Sequence, residues 1–133
     1  MNGPTELPVA TNGDVVLVRQ KVRGLAAEIG LSLVDQTKIV TAASELARNA
    51  LVHAGGGRVL IEVLQGARRP GLRLVFSDDG PGIPDLDQAL TEGWSTGGGL
   101  GLGLSGSRRL VDEFDLVSAP GEGTRVTVTK WAR

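Results

Sequence analysis

Ser95-Thr96-Gly97-Gly98-Gly99-Leu100-Gly101-Leu102-Gly103-Leu104-Ser105-Gly106 is the stretch whose reading decides the fold. Six of its twelve positions carry no side chain, so backbone N–H groups there can come close to a ligand. Leu104, Leu110, Val111 and Phe114 follow with helical spacing, which predicts a helix from about 104 to 114. A glycine loop feeding a helix start presents unpaired N–H groups and the positive end of the helix dipole, and together these favour a phosphate. A flexible linker would pair glycine with serine rather than with regularly spaced leucine.

Two familiar phosphate loops do not fit. Gly101-x-Gly103-x-x-Gly106 matches the spacing of the dinucleotide fingerprint, but that motif follows a strand, and Leu86 to Trp94 has no strand pattern. The Walker loop needs Gly-Lys-Ser or Gly-Lys-Thr, and neither occurs. A phosphate loop of a third kind is left.

Working outward, 133 residues with 41% hydrophobic and 22% charged side chains suit one ordinary globular domain over residues 1–133. A formal net charge of −1 argues against broad binding to nucleic acid. Arg19, Lys21 and Arg23, or Arg68, Arg69 and Arg73, could form a local basic patch, although a solvated helix face and a solvated turn explain them more simply. The absence of cysteine excludes disulfides, thiolate metal sites and a cysteine nucleophile. No apolar run is long enough to span a bilayer and Met1 to Asp14 is not a signal peptide, so the expectation is a cytoplasmic protein without membrane partners.

Along the chain, Glu6 to Ala10 reads as extended, and Asp14 is a candidate cap for a helix over Val15 to Ile29 ended by Gly30. Ser32 caps a second helix over Leu33 to Ala54 whose core stripe is Ile39, Ala43, Leu46, Ala47 and Ala50. On the neighbouring edge of that helix lie Lys38, Ala42, Glu45, Asn49 and His53, placing a carboxylate and an amide one turn apart beside an apolar stripe. Strands are predicted over 58–64 and 72–78 as a hairpin, with Leu72, Leu74, Phe76 and Asp78 on one face. Asp78 is then an acid at the buried end of a strand and needs a donor or an ion. Asp79 to Pro84 reads as a tight turn, 85–92 as a short helix, and 115–119 and 124–131 as further strands, with Thr124, Val126 and Val128 sharing a face. The sum is an α/β two-layer sandwich with helices on one face of a mixed, mainly antiparallel sheet.

Glu45-Leu-Ala-Arg-Asn49, Asp78-Asp79-Gly80-Pro81-Gly82-Ile83, Gly97 to Gly103 and Gly121-Glu122-Gly123-Thr124 resemble, in order, the N box and the three glycine boxes of the GHKL ATPase fold. That fold is shared by gyrase, chaperone, histidine-kinase and mismatch-repair ATPases. The resemblance implies ATP and Mg²⁺ as cofactors. It makes Asp78 the acceptor for the adenine amine with Thr124 beside it, and Asn49 the Mg²⁺ ligand. Gly80 and Gly82 would admit the purine, and Gly97, Gly99, Gly101 and Gly103 would belong to the phosphate cradle.

A dimerising helical region is not seen and the sole histidine, His53, lies within the site helix, so a sensor histidine kinase is set aside. The runs 34–49 and 96–105 are similar to those of RsbT-type kinases of stressosome partner switching. That likeness implies a serine/threonine kinase that phosphorylates STAS-domain proteins and, once released, activates a PP2C-type phosphatase. Glu45 would be the general base. Two alternatives share these motifs: an anti-sigma kinase of RsbW or SpoIIAB type with a sigma factor as partner, and an ATP-sensing adaptor without catalysis. The glycine loop lacks Arg or Lys, which leaves the γ-phosphate to Mg²⁺ and backbone dipoles, to Arg48 or Arg108, or to a partner. His53 either supports the metal position or simply complements the helix C-terminus. Trp94 is either a hinge anchor or a partner contact.

Overall fold

A computed structural model describes residues 3–82 and 103–133. The expected helix over 85–92, Trp94, and Gly97, Gly99 and Gly101 lie outside the described residues. The elements are β1 (Thr5–Val9), α1 (Asn12–Glu28), α2 (Leu33–Ala54), β2 (Gly57–Gln65), β3 (Pro70–Asp78), α3 (Gly103–Arg109), β4 (Glu113–Ser118) and β5 (Thr124–Trp131). The strands form one sheet in the order β1-β2-β3-β5-β4. All four pairings are antiparallel, so the mixed component of the expected sheet is not present among the described strands.

Local chemistry sets the helix limits. Thr11, not Asp14, is the N-cap of α1: its side chain accepts from the Asp14 N–H at 3.1 Å, while the Asp14 carboxylate accepts from the Thr11 N–H at 3.1 Å and the Ala10 N–H at 2.8 Å. This reciprocal capping box satisfies several backbone donors at once, which a lone Asp14 cap could not. Ser32 caps α2 through the Asp35 N–H, and Gly55 closes it in the left-handed conformation. The helix expected to reach Phe114 stops at Arg109 instead, and Phe114 lies in β4. From Glu113 onward the alternation of half-buried Phe114, Leu116 and Ser118 with exposed Glu113, Asp115 and Val117 follows the period of a strand.

The helices cover the sheet face that bears Val59, Ile61, Leu72, Leu74, Phe76, Val126 and Val128, all buried. Ala43, Ala47 and Ala50 keep the core stripe of α2 thin, so the helix can lie close to the strands. Ile39, Ile61, Leu72 and Leu74 are among the fully buried side chains. Each such side chain contributes about 1.5–3 kcal/mol relative to exposure.

Two poles result. At one, the ends of β3 and β4 and the start of β5 meet the end of α2. At the other, buried Lys130 places its Nζ 3.5 Å from both Asp35 Oδ1 at the start of α2 and Asp112 Oδ1 before β4. Arg133 extends this network, with Nη2 2.7 Å from Asp112 Oδ1 and Nε 3.6 Å from Asp35 Oδ2.

Candidate functional site

Glu45 and Asn49 are both half-buried on α2, one turn apart, next to buried Ala42 and Leu46. Their spacing stacks the two side chains along one edge of the helix. This edge belongs to the helix that also packs on α3, and Gly103, the last residue of the glycine stretch's proposed cradle, is the first residue of α3. Ser107, behind that start, is fully buried, and Arg108 and Arg109 occupy the last turn, where the dipole favours cations. His53 is exposed in the last turn of α2, the position the same dipole favours.

Asp78 ends β3 as a half-buried carboxylate on the face shared with Leu72, Leu74 and Phe76, as the alternation predicts. Its Oδ1 accepts from the Gly80 N–H at 2.9 Å, forming an Asx-type turn. The antiparallel register sets Asp78 directly opposite Thr124, and Thr124 directly opposite Ser118. A carboxylate and two hydroxyls therefore form a row across three strands. Ser118 Oγ donates to the Gly123 carbonyl at 2.9 Å and lies 2.9 Å from Thr124 Oγ1. With the Ser118 proton used in this way, Thr124 is the donor in the second contact, and its oxygen keeps a lone pair. Sequence reasoning missed Ser118 as a member of the site. The signal was the register across the 120–123 turn, which the strand pattern alone does not fix.

The glycines of this pole knit its segments together. A Cβ on Gly80 would sit 2.5 Å from the Ala54 Cβ at the end of α2. Gly82, with φ +78°, would drive a Cβ onto the Ala119 carbonyl, and Gly123, with φ +75°, onto the carbonyl of Asp78. The Gly121 N–H donates to the Pro81 carbonyl at 2.7 Å and ties the two turns together. The close approaches that Gly80 and Gly82 permit in the structure are thus to α2 and to the β4–β5 turn. At the rim, Arg58 Nη1 lies 3.6 Å from Asp79 Oδ2, both largely exposed.

A half-buried acceptor at a strand end, an acid and an amide on a helix edge, and a glycine-rich entry to a second helix define an ATPase fold. The chain belongs to the family of histidine kinase-, DNA gyrase B- and HSP90-like ATPases, whose model matches residues 34–133. Over all of both chains it is 46% identical to the serine/threonine-protein kinase RsbT of Bacillus subtilis (strain 168). It is 30% identical to an anti-sigma F factor of Bacillus licheniformis, over 84% of this chain and 80% of that one. Among solved structures, the RsbU and RsbW domains of Rv1364c from Mycobacterium tuberculosis match with a TM-score of 0.66 and 25% identity, over 99% of this chain and 33% of that one.

Proposed function

We propose that this chain is an ATP- and Mg²⁺-dependent protein serine/threonine kinase, acting as one domain over residues 1–133, that phosphorylates STAS-domain proteins and activates a PP2C-type phosphatase on release. The observation that carries this reading is the pairing of Asp78 with Thr124 at the pole where α2 ends, on the helix that bears Glu45 and Asn49. The donor set suits the nucleotide. No described residue donates to Asp78 Oδ2, which leaves that oxygen to accept from the adenine amine while Oδ1 stays with Gly80. Asn49 offers one amide oxygen, which suits a Mg²⁺ held mainly by phosphates and water. Among the described residues no group of three His, Cys, Asp or Glu is placed to hold a metal by itself.

Mg²⁺ would supply charge neutralisation at the phosphates. Glu45, one turn from Asn49, takes the proton of the incoming serine or threonine hydroxyl, a contribution of about 10²- to 10⁴-fold. Positioning of the two substrates provides the rest, as is general for phosphoryl transfer. Partner switching takes place in the cytoplasm on this reading; among the described residues no helix is long and apolar enough to cross a membrane. A second reading, an anti-sigma kinase whose partner is a sigma factor, is supported by the likeness to the anti-sigma F factor, at lower identity and coverage than the likeness to RsbT.

The test is a pull-down of the purified chain against a STAS-domain protein, a PP2C-type phosphatase and a sigma factor, followed by mass spectrometry of the captured partner after Mg²⁺–ATP. Capture of the STAS protein and the phosphatase, with serine or threonine phosphate on the former, is expected. Capture of the sigma factor with no phosphatase would favour the second reading.

A further inference from the structure

The pole opposite Asp78 holds an open cleft of about 560 Å³, lined by the β2–β3 turn from Gly66 to Arg69, by Asp112, and by Trp131 to Arg133. Its wall is built rather than incidental. The Trp131 indole is packed so tightly on Gly66 and Gly71 that a Cβ at either would lie within 2.7 Å of a ring carbon. Its Nε1 donates to Glu113 Oε2 at 2.6 Å, which fixes the ring.

Charge is arranged unevenly round this wall. Asp112, the one acid in the lining, already accepts from Arg133 and the Trp131 N–H and is ion-paired with Lys130. Arg69 reaches only the Ala132 carbonyl, at 3.5 Å, and Arg68 pairs with no described residue. Two guanidinium groups are therefore left facing solvent beside a held indole, on a chain whose formal net charge is −1. Next to the cleft, where Asp35 is joined to Arg133, Leu33 and Val34 are 75% and 63% exposed.

We infer that this distal cleft is a docking site for an acidic segment of a protein partner, whose carboxylates pair with Arg68 and Arg69 and whose neighbouring apolar side chain rests on Trp131 or on Leu33 and Val34. Charge complementarity selects the occupant: unpaired Arg beside an aromatic ring matches a carboxylate-rich chain, and Arg and Trp are the side chains that anchor protein interfaces. The volume lies within the usual range of binding clefts. From Gly71 to Asp78 strand β3 spans about 23 Å, at about 3.3 Å per residue, so the site leaves the Asp78 pole open. The inference holds whether or not the chain transfers phosphate.

The experiment uses the Trp94→Phe chain, in which Trp131 is the sole indole. The probe is an acetylated heptapeptide with one leucine flanked by glutamates. A saturable shift of Trp131 emission is expected, weakened by salt and weakened at least about tenfold by Arg68→Glu with Arg69→Glu. Arg68→Gln with Arg69→Gln should give an intermediate loss, while melting temperature and ATP affinity stay those of the parent. No shift, equal binding of the matching lysine peptide, equally effective competition by inorganic phosphate, or unaltered binding after charge reversal would each overturn the proposal.

Discussion

A carboxylate at the end of a buried strand is costly unless its oxygens find donors, and Asp78 meets that need on one side through the Gly80 N–H. Asp78→Asn would keep an oxygen for Gly80 and turn an NH₂ toward the position of an acceptor. ATP affinity should fall by about 1–3 kcal/mol in calorimetry, and an unchanged affinity would remove Asp78 from the adenine site. Gly123 and Gly121 have nearly equal φ, +75° and +77°, but a Cβ meets the Asp78 carbonyl at the first and open space at the second. Gly121→Ala should therefore cost only the strain of a left-handed alanine, about 1–2 kcal/mol. Gly123→Ala should cost distinctly more in chemical denaturation and also impair nucleotide binding. Asp78 and Thr124 were legible in the sequence because one ends and the other begins an alternating strand. Ser118 was not, because its place depends on how two strands register across a turn.

Of the elements, α2 was the most legible, since Ser32 and Gly55 stop it by local hydrogen bonding that needs no tertiary context. The segment after Arg109 was the least. Leu110, Val111 and Phe114 fit a helix as well as a strand entry, and pairing with β5 decides between them: the Asp112 N–H already donates to the Thr129 carbonyl at 2.9 Å. Two predictions belong here. Asn49→Ala should weaken binding of ATP with Mg²⁺ far more than binding of metal-free nucleotide, and equal losses by calorimetry would count against Asn49 as the metal ligand. Lys130→Met should leave the buried Asp35 carboxylate with only the more distant Arg133 as its cation and lower unfolding free energy by about 3 kcal/mol, read from urea denaturation. ATP affinity should hardly change, because this network lies at the other pole.

Across the whole molecule, α2 and β5 run from pole to pole, as β3 does beside β5. α2 begins in the Asp35–Lys130 network and ends against Gly80, while β5 begins at Thr124 and ends at Trp131. The buried face and the β2–β3 hairpin were largely foreseeable from alternation and turn residues, whereas the order of the five strands and the distal ion network were not, because β5 pairs with β3, and Asp35, Asp112, Lys130 and Arg133 come together, only after folding. This layout separates the proposed chemistry from the distal cleft proposed as a docking site. On the proposed function, Glu45 drives transfer of phosphate to a partner hydroxyl. Its most direct test is the rate of radiolabel transfer from γ-labelled ATP to a purified STAS-domain protein by the parent chain and by Glu45→Ala, at saturating ATP. A loss of about 10²-fold or more on substitution is expected, with ATP affinity nearly unchanged; near-normal transfer by Glu45→Ala would remove Glu45 as the general base.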